Sequence, residues 1–247
     1  MEHFKDEGNH LRQINRRNKE SIMLSFADFI NLVEEVLDEG IHDPARRKAI
    51  FLAGGPGSGK SYVSKKTTHG LGFKQVNSDD LFEKGMKKHG MEANPENIYS
   101  KKGQDIRAHA KELTKKREHH YVKGRLGLVI DGTGKDPEKI RKHSERLRKA
   151  GYDTHMVFVN TSLETAKKRN DQRERSLPHH EVERMHKQVQ GNIGHFQKHF
   201  GAEHMHIVDN DHADEHGLTQ VHKHIRKIAS AEVRNPIGKK EDAAYKK

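Results

Sequence analysis

The chain has 247 residues, no cysteine and a formal net charge of +11, and 34% of its residues are charged. Lack of cysteine excludes disulfides and thiolate metal sites, and no apolar run approaches the roughly 18 residues of a membrane span. The N-terminus also lacks a signal-like apolar region, so we expect a cytoplasmic protein with no membrane segment, and its charge favours polyanionic partners such as nucleic acid.

The chain is predicted to divide into three parts. Residues 1–44 form a polar segment and an amphipathic helix, whose apolar face consists of Phe26, Phe29, Ile30, Val33 and Leu37. The main domain covers residues 45–229. Residues 230–247 are a polar C-terminal tail that we expect to be disordered.

Short apolar runs alternate with helical segments through the main domain. Five runs are predicted as strands, at residues 48–54, 73–77, 125–132, 152–160 and 204–210. Asp136 followed by Pro137 indicates one helix start, and Ser162 indicates another. The alternation predicts a P-loop NTPase three-layer sandwich, in which a central parallel sheet of about five strands carries helices on both faces. A helical lid is predicted at about residues 169–180.

A glycine-rich segment follows the first strand. It matches G-x-x-x-x-G-K-[ST] in full, with Gly54, Gly55, Pro56, Gly57, Ser58, Gly59, Lys60 and Ser61. The glycines let backbone N–H groups point at phosphate oxygens, and the helix that follows adds the positive end of its dipole. Lys60 reaches the β- and γ-phosphates and the Ser61 hydroxyl ligates Mg²⁺. The segment predicts binding of ATP with Mg²⁺.

Two adjacent carboxylates, Asp79 and Asp80, follow the second strand. Strand ends at this edge of a parallel sheet open onto the ligand crevice, where a carboxylate can accept the proton of an attacking hydroxyl. Asp79 is the predicted base and Asp80 a substrate-contacting residue. The alternative is that one or both only cap the helix that follows.

The strongest apolar strand ends at Asp131, Gly132 and Thr133. Asp131 is a predicted contributor to the Mg²⁺ shell, and Thr133 is predicted to contact substrate. A plain Asp-Gly turn is the alternative interpretation.

A run of basic residues precedes Pro178. Arg169 and Arg173 are four residues apart and are predicted to share a helical face, from which they neutralise charge as the phosphoryl group moves. A solvated basic helix is the alternative. The 21 histidines lack a metal-binding pattern and are interpreted as solvated, with His204 and His206 facing solvent from the last strand.

These motifs, in this order, resemble the zeta-toxin and polynucleotide-kinase branch of P-loop kinases over roughly residues 46–210. The resemblance implies that Asp79 is the general base and that Arg169 and Arg173 are lid arginines. It also implies that residues 209–211 lie where related kinases hold the adenine. The Asp-Gly-Thr is closer to the Glu-Gly-Thr of zeta toxins. Polynucleotide kinases tend to carry an arginine soon after the catalytic aspartate, where this chain has Leu81, Phe82 and Glu83.

The sequence therefore predicts an ATP-dependent phosphotransferase that moves the γ-phosphate to a hydroxyl of a nucleic acid or nucleotide. Three alternatives stay open: a toxin-type kinase of a UDP-amino sugar, a kinase of a small metabolite or nucleoside, and an ATPase or ATP-gated binding module that transfers no phosphate.

Overall fold

The computed structural model describes residues 43–92, 94–173, 176–211 and 215–245. The predicted N-terminal helix lies outside these ranges. Five strands form one sheet in the order β2-β3-β1-β4-β5, and every pairing is parallel. The strands are β1 (Lys48–Ala53), β2 (Phe73–Val76), β3 (Gly127–Asp131), β4 (Asp153–Asn160) and β5 (Met205–Asp209). The predicted five-stranded parallel sheet is confirmed.

Helices connect the strands, as the parallel arrangement requires. In chain order they are α1 (Lys60–Thr68), α2 (Ser78–Lys88), α3 (Pro95–Tyr99), α4 (Lys101–Lys123), α5 (Pro137–Lys149), α6 (Leu163–Asp171), α7 (His179–Gly191), α8 (Ile193–Phe200), α9 (Glu215–Ser230) and α10 (Pro236–Tyr245). The predicted starts of α5 and α6 are confirmed, because the side chains of Asp136 and Ser162 accept hydrogen bonds from the third backbone N–H beyond each.

The two faces of the sheet are covered by different helices, because successive side chains of a strand point in opposite directions. Ile50 and Leu52 belong to the apolar cluster that includes Val63 of α1 and Ile225 of α9. Phe51 points the other way, and its ring centroid lies 5.7 Å from that of Phe200 on α8. All six residues of β1 are buried, and the five after Lys48 are apolar, as expected for a strand that is covered on both faces.

The described residues fall into two compact units. One is formed by Ser78–Arg117 and has its own apolar cluster, which includes Phe82. The guanidinium of Arg107 lies 4.2 Å from the centroid of the Phe82 ring. The other is formed by residues 43–77 and the described residues from 118 onward, and contains the sheet.

The prediction of a disordered C-terminal tail is wrong, because residues 236–245 form helix α10. The guanidinium of Arg47 is 1% exposed and pairs with Asp242 at 2.9 Å, and it also donates to the Ala150 carbonyl at 3.0 Å. Arg46 pairs with the same carboxylate. The polar sequence of this segment suggested disorder, but its acidic side chains are the partners of a buried arginine.

We expect Asp242→Ala to lower the free energy of unfolding by ~3 kcal/mol, because it removes the carboxylate shared by Arg46 and the buried Arg47. Urea unfolding measures this change. Lys240→Ala, an exposed position on the same helix, is the control and should stay within ~0.5 kcal/mol of wild type. A loss of the same small size in both variants would contradict the interpretation.

The prediction of solvent-facing histidines on the last strand is also wrong. The His204 ring lies against His155, with the two Nδ1 atoms 3.3 Å apart, and the His206 ring stacks on His224 at 4.4 Å between centroids. The ring of His206 is therefore covered by α9, which carries His224, and the ring of His204 is covered by β4, which carries His155.

The packing keeps one of these histidines neutral. Burial lowers the pKa of His155 to about 3, and the neighbouring His204, Lys48 and His224 act in the same direction, while Asp153 opposes them. A histidine in an unfolded chain has a pKa near 6.5. The folded state therefore binds fewer protons than the unfolded state between these two values.

We expect the free energy of unfolding to fall as pH is lowered from about 6.5 towards 3, because unfolding lets His155 take up a proton. In His155→Gln the pH slope of the unfolding free energy should be smaller by up to ~1.4 kcal/mol per pH unit. Urea titrations at several pH values measure it, with His119→Gln at an exposed position as the control. An unchanged slope in His155→Gln would rule out this role.

Candidate functional site

The phosphate loop connects β1 to α1. Gly57 and Gly59 adopt positive φ angles of 73° and 79°, and a Cβ atom at Gly57 would lie 2.2 Å from the carbonyl oxygen of Ala166. Only glycine permits both the conformation and this close approach. The N-cap of α1 is Gly59, which makes no side-chain cap, and the first turn contains no acidic residue. The first N–H groups of the helix therefore present a positive end of the kind that binds anions.

The Asp-Gly-Thr segment lies beside this loop, because β1 and β3 are neighbours in the sheet. Leu52 is in register with Asp131, and the N–H of Gly54 donates to the carbonyl of Thr133 at 3.4 Å. The Asn77 amide, at the end of β2, donates to Asp131 Oδ2 at 3.3 Å. The fold thus brings the end of β3 next to the start of the phosphate loop, as the prediction for Asp131 requires.

Asp79 and Asp80 lie in the first turn of α2, and both are exposed. Negative charge in a first turn is stabilised by the helix dipole, so both positions also suit a purely structural role at the start of α2. They belong to the Ser78–Arg117 unit, near its first residue. Their roles stay predictions.

Arg169 reaches the phosphate loop from α6. Its Nη2 donates to the carbonyl of Asn210 at 2.7 Å, and its Nη1 would lie 3.6 Å from a Cβ atom at Gly59. Arg173 is exposed and lies beyond the end of α6 at Asp171. The prediction that the two arginines share a helical face is therefore wrong.

The reason for this early helix end is Asn170, which is 1% exposed. Its amide donates to the carbonyl of Leu177 at 2.8 Å, and its Oδ1 accepts from the N–H of Leu177 at 2.9 Å. These two bonds fold the chain back after α6. The segment predicted as a lid therefore leaves the helix axis before Arg173.

The family resemblance placed residues 209–211 near the adenine, but it gave Asn210 no role of its own. It follows β5, is 2% exposed, and its amide donates to the carbonyl of Ser58 at 2.6 Å. The next residue, Asp211, accepts from the Thr161 hydroxyl at 2.6 Å and from the Ser162 N–H at 2.7 Å. Burial alone would raise the pKa of Asp211, but these hydrogen bonds outweigh it and lower the pKa to about 2. Only the motif Asp209-Asn210-Asp211 after the last strand could have signalled these roles.

Helix α7 supports the same edge of the sheet. The Nε2 of His186 lies 2.8 Å from the carbonyl oxygen of Thr161, and its Cα would lie 3.6 Å from a Cβ atom at Gly55. Just beyond the helix, the Asn192 amide donates to the carbonyl of Gly134 at 2.8 Å. Helix α7 thus lies close to Gly55 of the phosphate loop, and its C-terminal cap bonds the loop after β3.

The sequence model of the family described as Zeta toxin matches residues 33–217, about three quarters of the chain. The chain belongs to the zeta toxin family. The resemblance to zeta toxins that the sequence motifs indicated is confirmed.

Curated relatives of this zeta-family chain include two adenylate kinases. Adenylate kinase isoenzyme 5 of Bos taurus is 29% identical over 154 residues, which cover 59% of this chain and 25% of that protein. Adenylate kinase isoenzyme 1 of Oryctolagus cuniculus is 27% identical over 126 residues, which cover 50% of this chain and 63% of that protein. The chain therefore spans from a quarter to less than two thirds of the length of these relatives.

Two solved structures have the same fold as this zeta-family chain. The structure of the PezAT toxin–antitoxin system of Streptococcus pneumoniae matches with a TM-score of 0.51 and 14% identity, covering 85% of this chain and 99% of that one. The AvrRxo1-ORF1:-ORF2 complex matches with a TM-score of 0.52 and 16% identity, covering 70% and 58%. At these identities the likeness establishes the fold. Among the described residues, no helix has the length and apolar character needed to cross a bilayer.

Proposed function

We propose that this chain is an ATP-dependent phosphotransferase that moves the γ-phosphate of ATP to a hydroxyl acceptor. The observation that carries the proposal is the phosphate loop, in which two left-handed glycines precede a helix start that makes no side-chain cap. Family membership and the fold support it. Lys60, the first residue of α1, follows the loop directly and neutralises charge on the β- and γ-phosphates.

Mg²⁺ is the metal expected with ATP, and the residues present fit it. Ser61 lies exposed in the first turn of α1, and Asp131 lies at the end of the neighbouring strand β3. A hydroxyl and a carboxylate are hard oxygen ligands, and protein Mg²⁺ sites commonly use one or two such groups together with substrate phosphates. When bound, the ion neutralises charge on the phosphate oxygens.

Asp79 is the proposed general base for the acceptor hydroxyl. It follows Asn77, which bonds the carboxylate of Asp131, by only two residues. Its position in the first turn of α2, with the carboxylate exposed, lets it accept a proton. Asp80 and Thr133 are proposed to contact the acceptor, since both are exposed and follow β2 and β3 closely in the sequence.

The two arginines are proposed to act at different stages. Arg169 lies against Gly59 and is partly buried, so it stabilises bound triphosphate. Arg173 is exposed in the segment between α6 and α7, from which it stabilises charge on the phosphoryl group during transfer.

The acceptor is proposed to be a hydroxyl of a nucleic acid or nucleotide. Its support is electrostatic, since the chain carries a formal net charge of +11 and α4 has exposed lysines at 101, 102, 111, 115 and 116. Binding of nucleic acid through such lysines should weaken with salt, which separates this acceptor from uncharged metabolites. A UDP-amino sugar is also anionic and is the second acceptor to be tested.

We expect Asp79→Asn to lower transfer of labelled γ-phosphate by about 10²-fold or more while ATP affinity stays within twofold, because the base is lost and the phosphate loop is intact. The assay measures label on DNA, RNA, UDP-amino sugars and nucleosides, each offered separately.

Asp80→Asn is the matched control, because it makes the same change at the adjacent exposed position, and its effect on rate should be smaller. Lys60→Ala should remove most activity. Release of free phosphate without label on any acceptor, equal in wild type and Asp79→Asn, would replace the proposal by a non-transferring ATPase.

The arginines are expected to separate binding from chemistry. Arg169→Ala should weaken ATP binding about tenfold, and Arg173→Ala should lower kcat about 10²-fold with little change in ATP affinity. Steady-state kinetics with ATP varied, together with calorimetric binding, measure both effects. If Arg173→Ala changes neither parameter, the residue belongs to a solvated basic surface.

A further inference from the structure

We propose that Asn210 is a positioning residue that fixes the phosphate loop in its anion-binding conformation; this rests on the proposed function of that loop. It meets three separate parts of the sheet-containing unit. Its side-chain amide donates to the Ser58 carbonyl at 2.6 Å, and its backbone N–H donates to the Asn160 carbonyl at 2.9 Å. Its own carbonyl accepts from Arg169 at 2.7 Å.

The contact with Ser58 acts on the loop where its conformation matters most. Ser58 precedes Gly59, whose φ of +79° turns the chain into α1, and a Cβ atom at Gly59 would lie 2.3 Å from the Asn210 Nδ2. The amide of Asn210 thus occupies the space that a side chain at Gly59 would take. The Ser58 carbonyl and the Gly59 N–H belong to the same planar peptide. The bond from Asn210 that orients the carbonyl therefore orients this N–H as well.

The contact is specific for an amide donor. Ser58 is 1% exposed and Asn210 is 2% exposed, so water does not compete for this bond. If the amide were turned over, its Oδ1 would face the Ser58 carbonyl, and two acceptors would meet. Within the part of the chain that the structure describes, the Oδ1 of Asn210 and the Nη1 of Arg169 are both buried without a hydrogen-bond partner. Buried polar atoms left in this state are rare in native proteins.

Arg169 extends the arrangement to α6. Because its Nη2 is held by the Asn210 carbonyl, the guanidinium and the loop share one anchor at the end of β5. Displacement of Asn210 would therefore move the loop and release the arginine together. This explains why one asparagine after the last strand is buried at the junction of three chain segments.

The test replaces Asn210 by leucine, which has the same branched arrangement of heavy atoms, is somewhat larger and has no donor. We expect Asn210→Leu to weaken binding of adenylyl-imidodiphosphate, a non-hydrolysable ATP analogue, about tenfold, equivalent to ~1.4 kcal/mol. Calorimetric titration of the full chain with Mg²⁺ present measures it. Hydrogen exchange without nucleotide should become faster at the amides of residues 57–63 and stay unchanged in β1 and β3.

The control is Asn235→Leu. Asn235 also donates from its side chain to two backbone carbonyls, those of Arg148 at 2.8 Å and Tyr152 at 3.1 Å, but near the opposite end of β4. It should lose stability without losing analogue affinity or loop protection. If Asn210→Leu fails to fold, Asn210→Ala provides the same test, because it removes the donor and adds neither charge nor bulk.

The outcomes are distinguishable from one another. Wild-type affinity and wild-type exchange in Asn210→Leu would overturn the positioning role. Equal losses of affinity in Asn210→Leu and Asn235→Leu would show a merely structural effect and would also overturn it. Failure of wild type to bind the analogue would contradict the proposed function, while the exchange rates of residues 57–63 would still decide whether Asn210 holds the loop.

Discussion

The close approach of backbone segments around the phosphate loop is the constraint on which the candidate site depends. At Gly57 the chain passes so near the Ala166 carbonyl that a single Cβ atom would lie 2.2 Å from it, and at Gly59 the same holds for the Asn210 amide. This geometry needs β1 between β3 and β4, because the loop begins where β1 ends and is contacted by segments that follow β3, β4 and β5. The conformation of the phosphate loop therefore depends together on the strand order, on its glycines and on the buried Asn210.

The opposite end of the sheet is stabilised by charge. The amino end of β1 follows Arg47, whose buried guanidinium is paired by acidic side chains of α10. Lys48 pairs with Asp153 at 2.7 Å, and Asp153 also accepts from the N–H groups of Arg234 and Asn235. Burial raises the pKa of Asp153, but these donors outweigh it and lower that pKa. The carboxyl end of the sheet is thus left for polar loops that can bind ligands, while the amino end carries the ion pairs of the C-terminal segment.

Much of the fold could be predicted from local patterns. The central strands were visible because a buried parallel strand needs a continuous apolar run, as in KAIFLA, and Asp136 with Pro137 marked a helix start through local hydrogen bonding. The helix end at Asp171 was missed, because Asn170 bonds Leu177 across a turn that no periodicity reveals. The C-terminal helix was missed because its partner, Arg47, lies nearly 200 residues earlier in the chain.

The sequence by itself determined the phosphate loop, since eight consecutive residues contain the glycines that its turns need and the lysine and serine whose side chains are predicted to serve phosphate and metal. It also determined the parallel sheet and the family. Only the tertiary structure decided that Asn210 holds Ser58, that Arg169 and not Arg173 lies against Gly59, and that His155 is kept neutral. These outcomes depend on which side chains meet across the sheet edge and on how much water is excluded there. The contacts and the exclusion of water both arise when segments far apart in the sequence come together. Residue type and local spacing therefore do not predict them.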